Sequence, residues 1–125
     1  MSTLEVSNLN DGTTTVATTF VTNGSAKVWV HFHGDGTVAI QDSLNTSSIT
    51  DNAQGYYTVN FSTNFSTNNY SASSLANHLS GSTSQTWMSS ISWNVNGLGL
   101  LAERYDNTSR YDPVETTATI HGDLA

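Results

Sequence analysis

"AKVWVHFHGDGTVAI", residues 26–40, sets the period of the chain. Val28, Val30 and Phe32 alternate with Trp29, His31 and His33, and residues two apart along a strand share one face. The stretch therefore predicts a strand with an apolar inner face and a polar outer one. Gly34-Asp35-Gly36 supplies turn chemistry, and "TVAIQDS" (37–43) returns beside its neighbour as a hairpin.

The same period of two runs outward in both directions. "TTTVATTFVT" (13–22) alternates around Val16, Thr18 and Phe20 and is followed by an Asn23-Gly24 turn signal. Further on come "SSIT" (47–50), "YYTVNFS" (56–62), "YSASSLA" (70–76), "TWMSSISWNV" (86–95), "LGLLAERY" (98–105) and "VETTATIHG" (114–122). No segment has the 3.6-residue stripe of an amphipathic helix, and the helix formers Glu, Lys and Arg are scarce. Many short strands with frequent turns predict an all-β chain, a single antiparallel sandwich of jelly-roll-like type, over residues 13–125. Its expected inward set is Val28, Val30, Phe32, Val38, Ile40, Ile49, Val59, Phe61, Ile91, Trp93, Leu100 and Ile120. Residues 1–12 hold only Leu4, Val6 and Leu9 among polar neighbours, so they are expected to be an extended arm that uses these three in assembly or anchoring.

Composition bounds the function. The chain has 125 residues, enough for one domain, and no cysteine, so disulfides and thiolate metal sites are excluded. Its net charge of -7 repels phosphate backbones and anionic lipid, which argues against nucleic-acid and membrane-surface roles. No run reaches the roughly 18 apolar residues of a membrane helix. The opening "MSTLEVSNLNDG" lacks the basic start and apolar run of a signal peptide, so a soluble chain made without a secretion tag is expected. Ser, Thr and Asn together make 50 of the 125 residues, whereas charged residues make only 10%. An average domain carries about 25% charged residues, so the exposed faces here are built from hydroxyls and amides.

Chemistry-bearing residues are few. His31 and His33 lie on one strand face and can present two imidazoles to one metal, with Asp35 or His121 as third ligand. The pair alone is a weak signal, and the polar half of an ordinary strand is the reading it favours. No G-x-S-x-G elbow marks a nucleophilic serine, and Asp35, Asp42, Asp51, Glu103, Asp106 and Asp112 mostly fall in turns, as solvated carboxylates do. Trp29, Tyr56, Tyr57, Tyr70, Trp87 and Tyr105 can stack on sugar rings if their faces are exposed, or fill a core if not. No cofactor is implied.

The block "NGSAKVWVHFHGDGTVAIQDSLNTSSITDNAQGYYTVNFSTNFSTNNYSASSLA" (23–76) resembles a cassette in structural proteins of tailed bacteriophages, marine and cyanobacterial phages above all. The ends "MSTLEV" and "TIHGDLA" are similar to the ends of those proteins. The resemblance implies a non-enzymatic virion protein, a homotrimer made in the host cytoplasm and displayed on the particle as a tail-fibre or receptor-binding module. Its expected partners are its own copies, other virion proteins and a glycan of the host surface. Relatives carry Asn where this chain has His31 and His33, so the family pattern implies neither a metal nor catalytic residues. Three alternatives stand beside this reading: a capsid decoration (cement or head-fibre) protein, a free carbohydrate-binding module, and a small metalloenzyme using His31, His33 and His121.

Overall fold

The computed structural model describes residues 2–77, 86–104 and 109–125. Two four-stranded antiparallel sheets pack face to face. Sheet I has the order β4-β3-β10-β7, built from β3 (Val28–His33), β4 (Ala39–Leu44), β7 (Ser71–Asn77) and β10 (Glu115–His121). Sheet II has the order β5-β6-β9-β8, built from β5 (Thr46–Ala53), β6 (Tyr56–Phe61), β8 (Thr86–Asn94) and β9 (Gly97–Arg104). A separate two-stranded hairpin, β1 (Asn8–Asn10) with β2 (Thr15–Ala17), precedes them. β3–β4, β5–β6 and β8–β9 are hairpins within a sheet, and the last strand, β10, inserts between β3 and β7.

The alternation read from residues 26–40 governs the packing. β3 is buried at every second residue, and Val28, Val30 and Phe32 meet Tyr57, Val59 and Phe61 of β6, Leu98 and Leu100 of β9, and Ala118 and Ile120 of β10. Phe32 and Tyr57 cross edge to face at 5.3 Å, and Phe61, Phe65 and Tyr70 form a second aromatic knot. Such pairs add about 0.5–1.5 kcal/mol beyond the area they bury. Of the expected inward set, Val38, Ile49 and Trp93 pack against this core from its margin. Ile40 and Ile91 do not: both are exposed. Ile91 is the residue inserted at the register shift between Ser90 and Ser92 on β8, whereas Ile40 is opposite the buried Phe32 but stands on the edge strand β4, which is exposed along most of its length.

One turn end of the sandwich is tied by buried polar groups. The Tyr57 hydroxyl is shared between Asp112 Oδ1 at 2.8 Å and the Gly34 carbonyl at 3.0 Å, and the Gly55 amide donates to the same Asp112 oxygen at 2.7 Å. Burial, then the hydrogen bond to Asp112, pushes the Tyr57 phenol well above the ordinary tyrosine range. Gly55 has φ of +66°, and a Cβ on Gly34 would lie 2.7 Å from the Tyr57 oxygen, so both turns require glycine.

The N-terminal part differs from expectation. Residues 18–22, read as strand, belong to a helix, α1 (Thr18–Gly24). A strand needs a neighbour, and β1 pairs only as far as Ala17; beyond it the backbone closes its own hydrogen bonds, and the Thr22 hydroxyl adds one to Thr18 O at 3.1 Å. The boundary expected after residue 12 falls in the β1–β2 turn, where the Asp11 carboxylate accepts from the Thr13 and Thr14 amides and the Thr13 hydroxyl. Those bonds lower its pKa to about 2.

Candidate functional site: the outer face of sheet I

β3 and β10 are adjacent and antiparallel, with Thr117 opposite His31 and Thr119 opposite Trp29. Directly opposed side chains lie on the same face about 5 Å apart, and neighbours two apart on a strand about 6.7 Å. The outer face therefore reads in rows. Trp29 sits between Leu44 of β4 and Thr119; His31 sits between Asp42 and Thr117; and Ser73 and Leu75 of β7 extend these two rows. Lys27 precedes Trp29 by two, and His121 follows Thr119 by two.

The histidines are held by protein groups. His31 Nε2 lies 2.5 Å from Glu115 Oε2, and His33 Nδ1 lies 2.6 Å from the Val114 carbonyl and 3.5 Å from the same carboxylate oxygen. A carbonyl only accepts, so His33 Nδ1 carries the proton. The two rings are 6.1 Å apart. His121 Nδ1 donates to the Gly24 carbonyl at 3.0 Å, and the Lys27 ammonium donates to the Ser25 hydroxyl and carbonyl at 2.7 and 2.9 Å. Thus the C-terminal end of α1 and the residue after it pin two basic groups at one end of the face.

The expected third metal ligands do not join the pair. Asp35 lies exposed in the β3–β4 turn, and His121 is on β10 beyond Thr119, far from His33. Among the described residues no three His, Asp or Glu side chains converge to hold a metal ion. Nor is any serine hydroxyl hydrogen-bonded to His31, His33 or His121 among the described residues. What the face can do is bind: it combines one indole, hydroxyls, two acids and four basic groups without deep burial.

The aromatic candidates separate sharply. Tyr57 and Tyr70 are core residues, their rings packed in the sandwich, which removes them as sugar platforms. Burial likewise raises the Tyr70 phenol, whose hydroxyl meets the Asn94 and Gly97 carbonyls at 3.1 Å. Trp29 and Tyr56 are half-buried on the outer faces of sheets I and II, opposite Thr119 and Leu101 respectively. Trp87 is exposed, opposite Glu103. Tyr105 lies outside the described residues. Glu115, Thr117, Thr119 and Lys27 escaped the sequence reading; the alternation of "VETTATIHG" puts Glu115 and His121 on one face, but nothing local says that β10 lies beside β3.

A second surface is apolar. Leu4 is 81% and Phe20 73% exposed, and Val6, Leu9, Val16 and Val21 are exposed too. Leu9, Val16 and Val21, with Asn10, Asp11 and Thr14, line an open cleft of about 360 Å³ between the hairpin and α1. The assembly candidates Leu4, Val6 and Leu9 all belong to this surface.

Comparison of the chain with protein-family models, curated proteins and solved structures gives no match. No helix among the described residues is long and apolar enough to cross a membrane.

Proposed function

We propose that this chain is a non-enzymatic structural protein of a tailed-phage virion: a β-sandwich displayed on the particle as a receptor-binding type of module, assembled as a homotrimer through its N-terminal segment. The observation that carries the reading is the exposed apolar surface of residues 2–24. A hairpin of two three-residue strands and a seven-residue helix with no buried side chain cannot be stable by themselves. Exposed apolar side chains, of which Leu9, Val16 and Val21 line one cleft, are what an association element presents before it is covered. The low-charge, hydroxyl-rich exterior of the sandwich suits a surface protein that must stay soluble while its N-terminal segment associates. The resemblance of residues 23–76 to phage structural cassettes supplies the virion and the trimer.

The reading places the protein either on the tail or, as decoration, on the head. Its test is mass spectrometry and labelled imaging of purified particles from cells that carry the gene in its phage. The chain is expected in the particle at a multiple of three, and Leu9→Asp is expected to lower its incorporation. A particle that lacks the chain contradicts the reading. The second reading, a carbohydrate-binding module, draws on one specific observation, the half-buried Trp29 among hydroxyl and charged side chains on an open sheet face.

A further inference from the structure

The basic groups of this acidic chain are not spread evenly. Lys27, His31, His33 and His121, every histidine among the described residues with one of the three Lys and Arg, lie on the outer face of sheet I. The acids of that face, Asp42 and Glu115, belong to the rows of His31 and His33. The row of Trp29 contains Leu44, Thr119 and Ser73 and no carboxylate, and beyond it the Lys27 ammonium and the His121 ring meet at Ser25 and Gly24. In a chain of net charge -7 this end is a local basic spot, with an aromatic ring at its centre. The C-terminal end of α1 and the residue after it fix it in place, since Ser25 holds the Lys27 ammonium and Gly24 the His121 ring. An ammonium has three N–H groups and Ser25 engages two, so one remains for an incoming acceptor.

From this arrangement we infer that the Trp29 end of the outer face of sheet I binds an acidic saccharide, a pyranose bearing a carboxylate. The apolar face of the sugar ring stacks on the indole, as flat apolar surfaces do on aromatics. Its carboxylate reaches the Lys27 ammonium, about 6.7 Å away along the strand, and His121, about 7–8 Å away on the diagonal, adds a donor from Nε2 only in its protonated form, since Nδ1–H is held by the Gly24 carbonyl. Its hydroxyls meet Thr119 and Ser73. Charge complementarity selects this ligand over a neutral sugar: a neutral ring would use Trp29 and the hydroxyls but leave the cationic end unpaired. Trp87, the more exposed indole, lacks these partners and faces Glu103, so an acidic sugar is repelled there. The inference rests on the receptor-binding reading for its biological meaning, and is tested apart from it, on the free chain instead of on particles.

The probes are trigalacturonic acid and its fully methyl-esterified form, added to ¹⁵N-labelled full-length protein while the indole N–H signals of Trp29, Trp87 and Trp93 are followed. The acid is expected to move the Trp29 signal saturably and leave that of Trp87 in place. Lys27→Gln is expected to weaken the acid by about tenfold and the ester hardly at all, because only the acid makes the charge-assisted contact. Added salt weakens the acid in the same way. A Trp29 signal that stays put in folded protein overturns the inference, as does equal affinity for acid and ester. Neither result touches particle incorporation, so the inference can fail while the virion reading stands, and the reverse.

Discussion

Residues 2–24 and the sandwich are built from the same kinds of residue and treat them in opposite ways. In the sandwich Val28, Phe32, Tyr57, Val59, Leu98, Leu100 and Ile120 are sealed from water, each strand finding a partner and a facing sheet. Before residue 25, Leu4 stands in solvent ahead of a hairpin of two three-residue strands, and Leu9, Phe20 and Val21 stand in solvent on that hairpin and a short helix. The difference lies in the neighbours each segment has. Hydrophobic residues stabilise a fold only where the chain supplies a second layer to cover them; the sandwich supplies its own, and the apolar side chains of the N-terminal segment are left uncovered by the described residues.

Breaking the sandwich side should cost most. Phe32→Ala removes a ring that crosses Tyr57 at the centre of the core, and is expected to lower unfolding free energy by about 3–5 kcal/mol in urea titration. Tyr57→Phe keeps the ring but strips Asp112 Oδ1 and Gly34 O of a donor, a loss of about 1–3 kcal/mol by the same measurement. Its pH signature has a definite sign. The folded-state phenol is raised, so the stabilisation is complete below the unfolded tyrosine pKa of about 10 and falls as pH rises beyond it. The variant should accordingly show a flatter alkaline limb, with Tyr70 and Tyr111, both raised chiefly by burial, accounting for part of what remains.

Thr116 works in the other direction. Its hydroxyl is fully buried on the inner face of β10 and makes no hydrogen bond. Thr116→Val should therefore stabilise the sandwich by about 1 kcal/mol, read as a higher urea midpoint at unchanged slope.

The smallest effect belongs to the N-terminal side. Asp11, fully exposed, has its pKa lowered to about 2 by the Thr14 and Thr13 amides. A depressed carboxylate stabilises its turn above the unfolded value, about 3.9, and loses that contribution as pH falls through about 2. The Thr13 and Thr14 amide resonances should move between pH 4 and 2 while the core resonances, which owe nothing to Asp11, stay constant in that comparison.

How much of this the sequence disclosed follows from the range of each interaction. The strands of the sandwich were legible because alternation is local: "KVWVHF" and "YYTVNF" carry their inner faces in their own spelling. α1 was not, because Thr18, Phe20 and Val21 are residues of high strand propensity, and only the lack of a pairing partner past Ala17 turns them helical. Ile91 misled through a bulge, which shifts register by one residue without a local signal, and Ile40 misled because alternation alone does not say that β4 is an edge strand. Tyr57 and Tyr70 were ambiguous because a tyrosine reads alike on either face until the second sheet is placed. The site divides in the same way. Trp29, His31 and His33 were visible as one strand face, whereas Glu115, Thr119 and His121 joined them only through the long-range pairing of β10 with β3.

The central claim, that residues 2–24 are an association element and the sandwich is not, is tested most directly by sedimentation equilibrium of the full-length chain. Wild type is compared with the double variant Leu9→Asp/Phe20→Ser, whose exposed sites leave folding within about 0.5 kcal/mol. The account predicts a trimer for the wild type and a folded monomer for the variant. A wild type that stays monomeric at every concentration, or a variant that remains trimeric, contradicts it.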